Sequence, residues 1–135
     1  MGRFSFQESK TTNLDADRPP RNPPTMYIAA FHYLPGHYDD DFHRLNALID
    51  EVAKASPGFL GSESWRSEDG SKANATYYWR DLDSLKAFST HPAHQEAKRQ
   101  YARWYQGYHI VVSQVLRSYG NGRMPHITPN DRHGT

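Results

Sequence analysis

Tyr77-Tyr78-Trp79-Arg80, followed by Asp81-Leu82-Asp83-Ser84-Leu85-Lys86-Ala87-Phe88, by His91-Pro92-Ala93-His94 and by a run carrying Tyr101, Trp104 and Tyr105, is the stretch on which the fold turns. It reads as the end of a strand, a short helix over about Leu82 to Ser89, and a longer helix to about Gln106 that begins at Pro92, since proline suits a first helical turn. Tyr108 to Tyr119, with Val111, Val112, Val115 and Leu116, is a final strand. Upstream, Lys72 to Arg80 and Phe59 to Ser67 are strand-like and flank Glu68-Asp69-Gly70-Ser71, a hairpin turn. Pro57-Gly58 closes a helix from about Asp39 to Ala55, in which Phe42, Leu45, Ile49 and Val52 recur at steps of three and four. Met26 to Leu34 is a first strand, ended by Pro35-Gly36.

The order is βαββαβ, the ferredoxin-like α+β arrangement: a four-stranded antiparallel sheet with helices on one face. The other face then needs a cover. Ile28 and Ala30 on the first strand, with Ile110, Val112 and Leu116 on the last, are expected to point there, and a sheet-to-sheet homodimer is the simplest way to bury them.

At 135 residues the chain has room for one core. Residues 1–25, ending in Arg18-Pro19-Pro20-Arg21-Asn22-Pro23-Pro24, are expected to form a proline-rich arm, residues 26–119 the domain, and residues 120–135 a tail rich in turn formers. A net charge of +1 gives no footprint for nucleic acid or an anionic membrane surface, so a small molecule or a second protein is the expected partner. No cysteine is present, which excludes disulfides and a thiol nucleophile. The start has no apolar h-region and no run approaches the length of a membrane span, so a soluble, cytoplasmic protein is expected. Nucleotide-binding and hydrolase motifs are missing.

Among residues able to carry chemistry, His94 comes first. Steps of three and four put it on one face with Ala97, Tyr101, Trp104 and Tyr108, aimed at the sheet, where an imidazole serves as base, hydrogen-bond donor or axial ligand. A structural histidine bonded to a carbonyl or a tyrosine hydroxyl is the alternative. His32 and Tyr77 are the further catalytic candidates. Trp65, Trp79, Tyr101, Trp104 and Tyr105 are expected to wall a flat slot for an aromatic ligand, against the alternative of a packed aromatic core. His91 and His94 have the spacing of a metal pair on a helix, but His91 falls at the cap before Pro92 and a third ligand is missing, so no metal site is expected.

Pro57-Gly58-Phe59, Trp79, Asp83-Ser84-Leu85-Lys86-Ala87-Phe88, His91-Pro92-Ala93-His94, Trp104-Tyr105 and Tyr119, in this order and spacing, resemble the dimeric α+β barrels of the antibiotic-biosynthesis-monooxygenase superfamily. The haem-degrading-monooxygenase-like branch is the most similar, over about residues 26–119. The resemblance implies a small monooxygenase of secondary metabolism acting on an aromatic or polyketide-like molecule without a tightly bound cofactor, or a non-oxidative cyclase or dehydratase in the same slot. It also implies two alternatives: a haem-binding or haem-degrading protein, for which Trp79 and His94 are the positional pair, and a non-catalytic ligand-binding barrel. The cofactor-free oxygenases carry an asparagine four residues before a pocket tryptophan. This chain has Gly61 before Trp65 and Ala75 before Trp79, which departs from that pattern.

Overall fold

The computed structural model describes residues 25–131, so the expected arm lies, but for its last residue, outside the described residues. The elements are strand β1 (Tyr27–Pro35), helix α1 (Asp40–Ala55), strands β2 (Phe59–Arg66) and β3 (Ala73–Trp79), helices α2 (Leu82–Ser89) and α3 (Pro92–Trp104), and strand β4 (Tyr105–Gln114). All strand pairs are antiparallel, and their order across the sheet is β2-β3-β1-β4, as the ferredoxin-like arrangement requires. Among the described residues no helix is long and apolar enough to cross a membrane.

Each helix starts where a side chain satisfies its free N–H groups. Asp39 accepts from the backbone of Phe42 at 2.9 Å, Asp81 from that of Ser84 at 2.7 Å, and Nδ1 of His91 from that of Ala93 at 3.0 Å. Asp39 does more than cap α1. Its carboxylate also accepts the indole N–H of Trp104 at 3.0 Å and a guanidinium N–H of Arg103, which ties the start of α1 to the end of α3.

The helices cover the face of β1 that carries Tyr27, Ala29 and Phe31. Leu45, Ala97, Tyr101 and Trp104 pack around Phe31, while Ala53, Trp79, Leu85 and Phe88 pack around Tyr27 and Ala29. Trp79 and Trp104 lie wholly inside, at 0% and 2% exposure. Because Ala29 pairs with Val112 and Phe31 with Ile110, those two residues share the helix-covered face. This corrects the expectation that Ile110 and Val112 point away from the helices with Ile28 and Ala30. Their partly exposed state comes from β4 being the edge strand. On the uncovered face Ala30 is opposite Val111, and Ile28 is opposite Ser113.

The final strand starts and stops earlier than expected. Tyr105 is already extended and pairs with Pro35, so α3 ends at Trp104 rather than Gln106. One last bond joins Val115 N–H to Met26 at 2.9 Å, and beyond it β1 offers no partner, so Leu116 to Tyr119 leave the sheet. The chain then turns back across the uncovered face. His126 meets Glu63 at 3.2 Å, and Ile127 lies over Gly61.

β2 contains a break in register. Phe59 pairs with Trp79, but Gly61 pairs with Tyr78, so one residue of β2 is extra. This bulge, with Gly61 at φ +143°, reverses the facing of everything after it. Phe59 faces the helices, whereas Glu63 and Trp65 face away from them, opposite Thr76 and Asn74.

The resemblance segments at Pro57-Gly58 and Asp81 to Ser84 are joined in space. Gly58 accepts from Arg80 N–H at 2.7 Å, and a Cβ on it would fall 2.5 Å from Cβ of Ser84. Gly58→Ala should therefore destabilise the domain by about 1–3 kcal/mol in urea unfolding, as overpacking does. Adding Ser84→Gly should recover part of that loss; strict additivity of the two changes would show that this contact is not the cause.

Candidate functional site

α3 presents Ala93, Ala97, Tyr101 and Trp104 to the core, and His94 enters the layer between α3 and α2 at the edge of that stripe. Its ring stands edge-on to Phe88, with 4.8 Å between centroids. Nδ1 of His94 is buried and has no hydrogen-bond partner among the described residues. Burial, with smaller contributions from the charges of Lys98 and His91, pushes the imidazole down to about 4, so it is neutral at ordinary pH. The expected alternative, a histidine whose ring is satisfied by a carbonyl or a tyrosine hydroxyl, is not what Nδ1 shows.

Phe88 collects the neighbouring groups. Its ring stacks on Tyr77 at 5.6 Å and lies 5.0 Å from Trp79. The indole N–H of Trp79 is likewise buried without a partner among the described residues. Two orphaned polar groups thus flank one phenylalanine, and orphaned groups in a core call for an explanation. The neutral imidazole nitrogen lies on the α3 side of Phe88 and the indole donor on its sheet side, and a ligand oxygen reaches the pair only on displacement of the Phe88 ring.

Next to this lies a set of phenols. Tyr33, Tyr101, Tyr105 and Tyr108 surround Phe31 with ring centroids 5.0–5.8 Å away, and Tyr38 approaches Tyr105 at 6.0 Å. Burial pushes the Tyr101 hydroxyl up to about 12, helped by Tyr108 and Tyr77. Burial also raises Tyr105, then Tyr38 and Tyr101 as neighbours, and burial raises Tyr77, with the charge of Asp50 behind it. These hydroxyls stay protonated and act as donors, not as bases.

The structure does not bring all the expected site residues together. Tyr77, Trp79 and His94 gather at Phe88, and Tyr101 and Tyr105 at Phe31, all on the helix side of the sheet. His32 and Trp65 are on the opposite face: His32 pairs with Asn74, and Trp65 pairs with Asn74 from the other side. For Trp65 the bulge at Gly61 is the cause, because unbroken alternation from Phe59 would have aimed it at the helices. Trp79 and Trp104 are core residues with no exposed surface to offer as slot walls, and Tyr105 belongs to β4 rather than to the covering helix. His91 spends its Nδ1 on the cap of α3. Phe88 packs against both Trp79 and His94, so its ring fills the space between that positional pair.

Phe88, Phe31, Tyr33 and Tyr38 were not singled out from sequence. Phe31 and Tyr33 had a signal: they alternate with Tyr27, and one anchored residue fixes the facing of the whole strand. The Gly61 bulge had one too, since glycine inside a strand often marks a bulge. Tyr38, in the connection before α1, had none.

Comparison with known proteins agrees with this geometry. A sequence model of the monooxygenase af470-like family matches residues 28–113, which spans β1 to the end of β4. The uncharacterized protein YqjZ of Bacillus subtilis is 30% identical over 95 residues, 70% of this chain and 82% of YqjZ. Among solved structures, SnoaB, a cofactor-independent oxygenase from Streptomyces nogalater, superposes with a TM-score of 0.55 at 11% identity, covering 72% of this chain and 97% of SnoaB. A DABB-family protein with a ferredoxin-like fold from Mesorhizobium loti gives a TM-score of 0.50 at 13% identity, covering 66% of this chain and 95% of that protein. At these identities the superpositions show the shared fold, while the sequence match over residues 28–113 shows descent: the chain belongs to the monooxygenase af470-like family.

Proposed function

We propose that the protein is a small monooxygenase acting on a phenolic or polyketide-like aromatic molecule of secondary metabolism, without a tightly bound cofactor, and that His94 handles the substrate proton. One observation carries this reading: a buried imidazole nitrogen with no partner among the described residues, beside Phe88, in a chain of a monooxygenase family. SnoaB, with the same fold, is a cofactor-independent oxygenase, which supports the cofactor-free form of the reaction.

In this reading the substrate ring stacks on Phe88 or takes its place, and its acidic hydroxyl or CH meets Nδ1 of His94. A histidine that burial holds down at about 4 is a weak base. It gains basicity as the substrate anion forms, because imidazolium and phenolate then neutralise each other in a region of low dielectric. The electron-rich anion reduces dioxygen directly: one oxygen atom is kept on the ring, the other leaves as water, and both electrons come from the substrate. Tyr77, Tyr101 and Tyr105 supply neutral hydroxyls that hold the substrate oxygens. A second copy of the chain covers Ile28, Ala30 and Val111, completing a dimeric barrel.

A second reading, a non-catalytic ligand-binding barrel, is favoured by the close filling of the layer around Trp79 and Trp104. Oxygen uptake separates the two. With a panel of dihydroxynaphthalenes, the protein should consume dioxygen and His94→Phe should lose at least 100-fold in rate with unchanged thermal stability; uptake that survives the substitution removes His94 from the mechanism, and no uptake with any member favours the binding barrel.

The same histidine predicts a pH dependence of stability. Its folded value lies below the unfolded value of 6.5, so between about 6.5 and 4 the unfolded chain binds a proton that the folded chain does not. Stability should therefore fall by roughly 3 kcal/mol as pH drops through that window and level off below it. In His94→Phe this part of the slope should vanish, as read by urea midpoints at pH 7 and pH 4.5. For the dimer, Ala30→Asp should give monomers in sedimentation where the parent chain gives dimers; a monomeric parent would refute the sheet-to-sheet pairing.

A further inference from the structure

Beyond the Gly61 bulge, β2 turns Ser62, Ser64 and Arg66 toward the helix side of the sheet. All three are exposed, so no helix covers this strip. Pairing sets them in three rows. Ser62 is opposite Tyr77; Ser64 is opposite Ala75, which is opposite Phe31; Arg66 is opposite Ala73, which is opposite Tyr33. Serine and alanine line the way from Tyr77 to Arg66. β2 and β3 thus carry a shallow trough about 13 Å long, with Phe31 and Tyr33 on β1 as its wall.

Phenol groups converge on the same space. After burial, Tyr33 is the next cause of the raised Tyr38 hydroxyl, and it also acts on Tyr77 and Tyr105, while the charge of Arg66 pulls Tyr38 the other way. Such influences need proximity, so the guanidinium and these hydroxyls share one end of the layer. The hydroxyls of Tyr33, Tyr38, Tyr77, Tyr101 and Tyr105 have no hydrogen-bond partner among the described residues. They are not sealed off either, since the enclosed polar atoms without a partner there are those of Trp79 and His94. Five donors open onto hydrated space and lack an acceptor.

Arg66 has no carboxylate partner among the described residues. The acids of neighbouring segments are engaged elsewhere. Asp39 holds Phe42, Trp104 and Arg103, Asp41 pairs with Arg44 at 3.5 Å, and Asp50 pairs with Lys54 at 2.9 Å. In the hairpin, Asp69 accepts from the Ser67 hydroxyl at 2.8 Å and from the Ser71 backbone at 3.0 Å. Asp40 and Glu68 are exposed to water, which screens them.

We propose that this trough is the long arm of the substrate site and that Arg66 selects a polycyclic aromatic carboxylate. The proposal rests on the reading above for one point, that the reacting ring sits beside Phe88 and Tyr77. From there three fused rings reach past Ser62 and Ser64 to the rim. The carboxylate takes N–H donors from the Arg66 guanidinium and O–H donors from Tyr38 and Tyr33. The face that a second copy covers takes no part, since Arg66 and Trp65 point to opposite sides of the sheet.

Anthracene-2-carboxylate, titrated by its own fluorescence under nitrogen, tests this without turnover. It should bind saturably, and the neutral anthracene-2-carboxamide about tenfold more weakly. Arg66→Gln should lose about tenfold for the carboxylate and roughly twofold or less for the amide, a split that a structural role would not produce; Arg66→Lys should recover part of the loss. Ser64→Leu, at an exposed position in the trough, should weaken both ligands about fivefold or more by filling their path. Trp65→Ala, on the other face, should bind both as the parent does. Equal loss of both ligands in Arg66→Gln overturns the proposal. So does full affinity in Ser64→Leu, or a loss in Trp65→Ala as large as that in Arg66→Gln. Oxygen uptake that depends on His94, together with carboxylate binding that ignores Arg66, keeps the monooxygenase reading and sinks this one. Arg66-dependent binding without oxygen uptake keeps the site and removes the reaction.

Discussion

β1 is hydrogen-bonded along both edges, to β3 and to β4, so the direction in which Phe31 points decides the facing of most of the sheet. Phe31 is partly buried against Leu45, Tyr101 and Trp104, and no shift of β1 by one residue is tolerable, because it would turn His32 toward that core and Phe31 into solvent. From this one fixed direction, pairing places Tyr77, Trp79, Tyr108 and Ile110 on the helix side and Asn74, Tyr78, His109 and Val111 on the other. The division of the molecule into two chemical faces is a consequence of one strand's packing.

The two faces differ in what water can do. Between sheet and helices, groups that titrate are stripped of solvent: His94 is driven toward its neutral form, and Tyr77, Tyr101 and Tyr105 are driven to keep their protons. The layer is therefore almost free of formal charge, and a proton moving within it creates two charges at once that must stay close. On the open face the reverse holds. Charged groups there are hydrated, and Glu63 is held below its usual range by donors from Tyr78, His126 and Trp65. Binding within the layer would be governed by shape and proton position, and at its rim or on the open side by long-range charge.

How far the sequence reveals this depends on how local each feature is. The helices and the hairpin were legible because periodicity, caps and turn residues lie within a few positions of each other: Asp39, Asp81 and His91 each cap the helix that follows. The position of His94 followed from its spacing to Ala97 and Tyr101. The single aromatic slot did not survive, because it required Trp65 to share a face with Tyr77 and Trp79, and that depends on pairing between β2 and β3 rather than on β2 alone. The facing of Ile110 and Val112 failed for the same reason, since β4 takes its direction from β1. The packing of Phe88 between Trp79 and His94 is a contact among three elements, and no spacing in the chain announces it.

The extra residue in β2 bears on descent as well as on shape. Everything from Gly61 to Arg66 owes its side of the sheet to one inserted position, so the loss or gain of that position in a relative would exchange Trp65 and Glu63 for Ser62 and Ser64 on both faces together. Two relatives could then match residue for residue along this strand and still present different chemistry to their ligands. Within this family, equivalence of site residues in β2 has to be judged by partner on β3, not by place in an alignment.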